Sequence, residues 1–521
     1  MIVSISCSQI GFLERNSRIL KKLRFADIGH YNLASTCLEG TRTEFIQPIM
    51  DWCRNREEIT NRIMLLTAVP GAGKSTIAHT IAKECANRGI LLSCFFFKAG
   101  EQSRPTYLFS DMARSLAMKS VEYRILVTSA LETDPGLATA PFKTQFYKLV
   151  RDPIQLMAQQ QNNPMVVIID ALDECEDTSF EELAHILREG VPQLPSSIKF
   201  FVTSRQSNLI NRHFSSASTI DLGGDSNVRD CKIYVRSQLE TLGKAHSHSA
   251  SSMDSDIIAC AGGLFVWIRI FFGYLKEKRE DPLATLKAFH KLPAEQTMAP
   301  LYTYILDRFD WGDDDFVHDY RITLGAIIAS QRPLSATAWE VILSPFLKFK
   351  SSVRSTLEML SLFLTGIHEA HAPIRILHHS FRDFILDGAN GINVTQRWSL
   401  VEMEMDHERM ALRCFQIMDV ELSNVDDLRR AGDLEQKIPL RSIPSDHLSE
   451  QLQYACQFVE YHASLVHSPK KDIEESVQTF LDQHIIDWME LSVRTGRYIN
   501  IQSFPEWVKV RIIAISCRRR F

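Results

Sequence analysis

Apolar runs alternate with stretches of helical periodicity along the first half of the chain. Four of these runs have the length of buried strands and a weaker fifth follows: Ile63 to Thr67, Leu91 to Phe97, Met165 to Asp170, Lys199 to Thr203 and Ser218 to Leu222. Between them, stretches such as STIAHTIAKECA place apolar residues three and four positions apart, which is typical of amphipathic helices. Strands that are apolar throughout are covered on both faces, so the pattern predicts an α/β domain with a parallel sheet. Short crossovers would bring the carboxyl ends of its strands to one edge.

The turn after the first strand has the composition of a phosphate-binding loop. It reads AVPGAGKST, with Ala68 where such loops usually begin with glycine. Small residues let backbone N–H groups approach an anion, and the following helix adds a positive dipole end. Lys74 would reach the β- and γ-phosphates, Ser75 would ligate Mg²⁺, and Thr76 would add a phosphate hydrogen bond. The predicted nucleotide-binding residues of the loop are Ala68, Gly71, Ala72, Gly73, Lys74, Ser75 and Thr76; the alternative is an ordinary strand–turn–helix.

Acidic residues end the third apolar run, about a hundred residues later. Asp170 would hold the metal together with Ser75. Glu174 and Asp173 are predicted to orient or deprotonate the attacking water, with capping of a helix as the alternative for both. Arg205, which follows the run FFVTS, is predicted to sense the γ-phosphate, with a surface salt bridge as the alternative.

These motifs together resemble a known family. AVPGAGKST, VVIIDALDEC and FFVTSR are similar to the NACHT family of signal-transducing NTPases of the STAND class. The segments CLEGTRTEFIQPIMDW, LYTYIL, LHHSFRDFIL and LQYACQFVEYH resemble its fungal, nephrocystin-like branch, over roughly residues 30 to 490. Members usually carry an N-terminal effector domain and a C-terminal repeat sensor, and we recognise neither here, so we expect a truncated member or a gene model that ends in read-through sequence.

The resemblance implies roles for three further positions. Arg42 would lie over the base or sugar of the nucleotide, unless it only forms a capping turn. His378 would contact the β-phosphate of a bound diphosphate and hold a closed state, with a structural histidine as the alternative. Gly263-Leu264-Phe265 would pack near the base, although a core helix explains the same residues.

The pattern in the second half of the chain predicts helices. The whole chain is predicted to divide into five segments. Residues 298–390 suggest small helices with a short hairpin around Ala372-Pro373, which fits a winged helix. The predicted segments are a poorly defined N-terminal segment (1–30), a lead-in helix with the P-loop NACHT NTPase domain (31–225), an all-α helical domain (226–296), a winged-helix domain (297–392) and a C-terminal helical region (393–521).

Composition narrows the possible partners. The 521 residues are 45% hydrophobic and 23% charged, as in soluble multidomain proteins, and the net charge of −5 offers no general attraction to nucleic acid or anionic membranes. Eleven cysteines without a CxxC pair are expected to be reduced thiols, and no targeting or membrane-spanning segment is recognised. We therefore predict a cytoplasmic protein.

The function predicted from these features is a slow NTP-dependent switch. Its ligands would be Mg²⁺ with ATP/ADP or GTP/GDP; diphosphate would hold a closed state, and triphosphate would release an oligomerising one. Its partners would be further copies of the chain and an unidentified protein. A non-catalytic, nucleotide-binding scaffold remains open as an alternative. A small-molecule kinase or nucleic-acid translocase is disfavoured by the negative net charge and the helical second half.

Overall fold

The computed structural model describes residues 15–23, 31–56, 61–97, 105, 107–157, 163–215, 217–222, 225–242, 250–278, 282–289, 298–348, 353–369, 371–390, 398, 403–425, 428, 443–444, 447–467 and 470–495. The chain forms two compact units, Met1–Thr297 and Met298–Phe521. No helix in the described ranges combines the length and the apolar character that crossing a bilayer requires.

A parallel sheet forms the centre of the first unit. Its described strands are β1 (Ile63–Thr67), β2 (Leu91–Phe96), β3 (Met165–Asp170), β4 (Ile198–Ser204) and β5 (Ser218–Asp221). They pair in the order β2-β3-β4-β1-β5, and every pairing is parallel. The predicted parallel sheet is therefore confirmed, and all five carboxyl ends lie along one edge.

Helices cover both faces of this sheet. The principal ones are α1 (Thr43–Arg54), α2 (Lys74–Asn87), α3 (Leu108–Lys119), α4 (Val121–Thr133), α5 (Phe142–Gln145), α6 (Asp152–Leu156), α7 (Asp177–His185) and α8 (Asn208–His213). Successive strand residues point to opposite faces. Val167 and Phe200 accordingly join Phe109 of α3 and Tyr123 of α4 in one buried cluster. Met64, Leu66, Val166, Ile168 and Phe201 join α1 and α2 in the other.

A helical segment follows β5 within the same unit. It contains α9 (Asp225–Thr241), α10 (Ala250–Ala261), α11 (Phe265–Lys278) and α12 (Pro282–Phe289). The apolar run of α11 is buried on several sides by its neighbours, with Trp267, Phe271 and Leu275 at helical spacing. This burial accounts for the strongly apolar sequence of α11.

The second unit is mostly helical. Its helices are α13 (Ala299–Leu306), α14 (Asp314–Ala329), α15 (Ala336–Leu343), α16 (Val353–Met359), α17 (His379–Asn390), α18 (Met403–Glu421), α19 (Glu450–Ser464), α20 (Lys471–Thr479) and α21 (Ile485–Arg494). Between α16 and α17, β6 (Leu364–Thr365) and β7 (Arg375–Ile376) pair antiparallel, which confirms the predicted hairpin.

Candidate functional site

The phosphate-binding motif forms the turn between β1 and α2. Gly71 has φ 79° and Gly73 has φ 94°, a left-handed conformation that glycine adopts without steric cost. Lys74 begins α2, and its Nζ donates to the carbonyl oxygens of Ala68 at 3.0 Å and Val69 at 3.3 Å. The loop therefore curls around the ammonium group, with Ala72 buried, Ser75 exposed and Thr76 half-buried in the first helical turn.

Asp170 ends β3 with its carboxylate buried. The hydroxyl group of Thr203 donates to this carboxylate, and hydrogen bonding by the nearby Ser75 also lowers its pKa. Burial raises the pKa of Asp170, while those two hydrogen bonds and the charge of Lys74 oppose the shift. The two residues predicted to hold a metal are thus neighbours at this edge of the sheet.

Thr203 is a residue that the sequence analysis did not single out. It lies on β4, between β3 and the strand that leads into the phosphate loop. Its hydroxyl donates to Asp170 and accepts from the N–H of Ala171 at 2.9 Å. The available signal was a polar residue directly after the apolar residues Phe200, Phe201 and Val202, at the carboxyl end of the strand.

Asp173 and Arg205 are paired across the same edge. The backbone N–H of Arg205 donates to Asp173 Oδ1 at 2.8 Å, and its Nε lies 2.8 Å from Oδ2. Asp173 and Glu174 belong to a short 3₁₀ turn, Leu172–Glu174, which follows Ala171 at φ 55°. The turn brings both acids to the edge that carries the phosphate loop.

The charged residues predicted for the site lie close enough to Lys74 to act on its pKa. Burial lowers the pKa of Lys74, the charges of Asp173 and Asp170 oppose that shift, and Arg205 and Glu174 act on it more weakly. A carboxylate and a hydroxyl are hard oxygen ligands of the kind that Mg²⁺ accepts beside substrate phosphates and water. Asp170 and Ser75 therefore fit a magnesium ion.

Arg42 lies against the outer side of the phosphate loop. It precedes α1 at φ 61°, and its side chain is only 3% exposed. Its Nη2 donates to the carbonyl oxygen of Ala72, while its backbone N–H donates to Asp230 Oδ2 at 3.1 Å. Burial lowers the pKa of this guanidinium, and the charge of Asp230 opposes that shift. Arg42 thus links the loop to α9.

The start of α11 closes over the loop at a second point. A Cβ on Gly71 would lie 2.5 Å from Val266 Cγ1 and 3.8 Å from Leu264 Cδ2. Phe265 packs on Arg42 with its ring centroid 4.8 Å from the guanidinium carbon. The helical segment after the sheet therefore forms part of the wall of the phosphate loop.

His378 lies in the second unit, directly before α17. Its Nδ1 accepts from the N–H of Ser380 at 3.2 Å and lies 2.7 Å from Ser380 Oγ. Because Nδ1 acts as an acceptor, the neutral ring carries its proton on Nε2. That nitrogen is a donor suited to an anion, although the bond to Ser380 also gives this histidine a structural role in capping α17.

Comparison with known proteins identifies the segment that contains the loop. Residues 40–205 match the family model Nephrocystin 3, N-terminal. No match is found among curated proteins.

Several solved structures are similar to the chain. One is a Signal Transduction ATPase with Numerous Domains (STAND) protein with a tetratricopeptide repeat sensor from Pyrococcus horikoshii, at 13% identity and a TM-score of 0.48, covering 95% of this chain and 58% of that one. Another is a Walker-type ATPase of Pyrococcus abyssi, at 11% identity and a TM-score of 0.34, covering 68% of this chain and 99% of that one. A third is Cdc6p from Pyrobaculum aerophilum, at 11% identity and a TM-score of 0.28, covering 67% of this chain and 90% of that one. The chain thus spans 58% of the length of the first.

The family match covers the phosphate loop, Asp170 and Arg205 in one continuous stretch. It includes the motifs AVPGAGKST, VVIIDALDEC and FFVTSR and most of the lead-in segment, whereas the later segments that resemble the nephrocystin-like branch lie outside it. Residues 40–205, which contain the phosphate loop, are therefore similar to the nephrocystin 3 N-terminal family.

Proposed function

We propose that the chain is a NACHT-type switch that binds ATP or GTP with Mg²⁺ and hydrolyses it slowly. The observation that supports this most is that Ser75 and the buried Asp170 lie together beside Lys74, at the end of a glycine-containing loop. A nucleotide with its metal is bound by a phosphate loop, a lysine, a hydroxyl group and a buried carboxylate, and all four are present here.

Each group has a distinct task in holding the nucleotide. The N–H groups of the loop and of the first turn of α2 would donate to the phosphates. Lys74, which donates to Ala68 and Val69 in the structure, would exchange those carbonyls for phosphate oxygens. Ser75 and Asp170 would hold Mg²⁺, which neutralises phosphate charge when bound. Thr203 would position Asp170.

For hydrolysis, Glu174 is the stronger choice to orient the attacking water. Asp173 already accepts from the backbone N–H of Arg205 and pairs with the Arg205 side chain, so both of its oxygens are occupied in holding Arg205 in place. A γ-phosphate would compete with Asp173 for the guanidinium, and in this way Arg205 would sense the triphosphate.

The switch would act through the second unit. Helices α14 to α17 with the hairpin β6–β7 support a winged-helix domain at about residues 297–392. His378 would donate its Nε2 proton to the β-phosphate of a diphosphate and hold a closed state. Triphosphate would release this contact and allow self-association, since the two nucleotides would then bind the two states with different affinity.

The test is to purify the full chain, denature it and identify the released nucleotide by chromatography. We expect about one diphosphate per chain from the wild type and none from Lys74→Ala, whose folding is checked by circular dichroism. Lys74→Arg serves as a control that keeps the charge.

The outcome separates the alternatives. If the wild type releases no nucleotide and binds neither ATP nor GTP in the presence of Mg²⁺, the proposal is wrong. Tight binding without turnover would favour the non-catalytic scaffold.

A further inference from the structure

A buried ion pair connects the phosphate loop to the helices that follow the sheet. Arg42 and Asp230 are 3% and 2% exposed, and Arg42 Nε lies 3.8 Å from Asp230 Oδ2. The same guanidinium donates to the loop carbonyl of Ala72 and packs on Phe265. One side chain thus contacts the phosphate loop, α9 and α11.

The charges of this pair are balanced, but its hydrogen bonds are incomplete. Nη1 of Arg42 is buried and has no hydrogen-bond partner among the described residues. Burying a guanidinium is costly unless an anion compensates it, and here Asp230 supplies the carboxylate. A second anion close to Ala72 would interact strongly with the same charge, because buried charges are poorly screened.

We propose that Asp230 sets the nucleotide affinity of the phosphate loop by competing with the bound phosphates for the charge of Arg42. This inference rests on the nucleotide site proposed above. In the nucleotide-free protein, Asp230 compensates Arg42 and holds α9 against the loop. When phosphates occupy the loop, they take over part of that compensation, and the attachment of α9 weakens.

This competition predicts that removing the charge of Asp230 strengthens nucleotide binding. Asp230→Asn removes the negative charge but keeps the size of the side chain and an amide oxygen for the N–H of Arg42. The nucleotide-free state then contains an uncompensated buried charge, whereas the bound state does not. By linkage, the nucleotide binds more tightly to the variant than to the wild type. A residue that only supports the fold would weaken binding when it is changed.

The experiment titrates a fluorescent ADP analogue with Mg²⁺ into nucleotide-stripped full-length protein. We expect the Kd of Asp230→Asn to fall about tenfold, or about 1.4 kcal/mol. Asp230→Glu keeps the charge, so its Kd stays closer to that of the wild type. The matched control is Glu44→Gln, because Glu44 and Arg229 join α1 and α9 through an exposed ion pair of 2.6 Å. Its Kd should not change.

Hydrogen–deuterium exchange of the wild type provides a measurement that does not depend on any variant. Adding ADP and Mg²⁺ should protect the loop and the start of α2, while exchange at the Arg42 amide and around Asp230 increases. Unchanged or weaker binding by Asp230→Asn, or increased protection around Asp230, overturns the inference while leaving the nucleotide site intact. If the wild type shows no Lys74-dependent binding, the proposed function itself is wrong.

Discussion

At the scale of single residues, the hydroxyl of Thr203 contacts both the end of β3 and the turn after it, at the edge proposed to hold the metal. It donates to the carboxylate of Asp170 and accepts from the N–H of Ala171 at 2.9 Å. Ala171 has φ 55°, a left-handed conformation that costs a residue with a side chain about 1 kcal/mol. Thr203 therefore stabilises the turn that leads from the metal ligand to the acids after it.

Replacing Thr203 by valine tests this role. Valine keeps the shape but removes the Thr203 hydroxyl as a donor to the carboxylate, and hydrogen bonds to charged groups contribute about 1.5–3 kcal/mol. We expect Mg²⁺-dependent nucleotide affinity to fall at least about tenfold, as measured by Mg²⁺ titration at constant nucleotide.

The pH dependence of Thr203→Val gives a second readout. The Thr203 hydrogen bond lowers the pKa of Asp170 against the effect of burial, so its loss raises that pKa further. Asp170 ligates metal only when it is ionised, so Mg²⁺ affinity falls as the pH drops, and in the variant the fall begins at a higher pH. Thr203→Ser keeps the hydroxyl and should behave like the wild type; equal affinities for the valine and serine variants would contradict this role.

At the scale of elements, the strands were predicted best. The expected runs Ile63 to Thr67 and Met165 to Asp170 coincide with β1 and β3, because a buried parallel strand is apolar throughout and ends at polar residues. The order β2-β3-β4-β1-β5 could not be predicted, since it depends on how the crossover helices pack. The position of Thr203 beside Asp170 follows from that order.

Contacts between elements that are distant in the sequence could not be predicted either. Asp230 is 188 positions from Arg42, and no local pattern marks it as the carboxylate that meets this guanidinium. The resemblance implies that Leu264 and Phe265 lie near the base, and the structure shows them beside Gly71 and Arg42. Motifs predicted which groups would bind phosphate, but not which helices support the loop.

The contact between α11 and the loop predicts unequal effects of two glycine substitutions. Gly71 and Gly89 have similar positive φ values, 79° and 69°, so alanine is strained by about 1–2 kcal/mol at either position. A Cβ at Gly71 would also meet Val266 Cγ1 at 2.5 Å, whereas one at Gly89 meets no described atom within 4 Å. We expect Gly71→Ala to lower both the unfolding temperature and nucleotide affinity, and Gly89→Ala to lower only the former.

Removing the neighbour tests the cause of the Gly71→Ala effect. Val266→Ala opens space at the position of the new methyl group, so the double variant Gly71→Ala/Val266→Ala should regain part of the lost affinity. A double variant that binds as poorly as Gly71→Ala alone would show that backbone strain, rather than contact with α11, is responsible.

At the scale of the whole molecule, the second unit contains a buried histidine pair that makes its stability depend on pH. His407 on α18 and His462 on α19 face each other with their Nδ1 atoms 2.8 Å apart. Tyr454 Oη lies 2.7 Å from His462 Nε2 and accepts from the N–H of Gln331 at 3.1 Å. The chain of hydrogen bonds is complete when Tyr454 donates to His462 and the Nδ1 proton of His462 points to a neutral His407.

Protonation of this pair should destabilise the second unit in mild acid. Burial lowers the pKa of His407 from 6.5 to about 4, so between these values the unfolded chain binds more protons than the folded one. The stabilisation is complete above pH 6.5 and is lost as the pH falls toward 4, by an amount on the order of 3 kcal/mol.

We expect urea unfolding of the full chain between pH 7.5 and 4.5 to show this loss, and His407→Gln, in which residue 407 cannot titrate, to show a flatter profile. His467→Gln replaces a histidine whose side chain is 75% exposed, so it serves as the control and should follow the wild type. The carboxylates that titrate in the same range are present in all three proteins and affect their profiles equally. Parallel profiles for the wild type and His407→Gln would mean that the α18–α19 pair contributes nothing to the acid sensitivity of the protein.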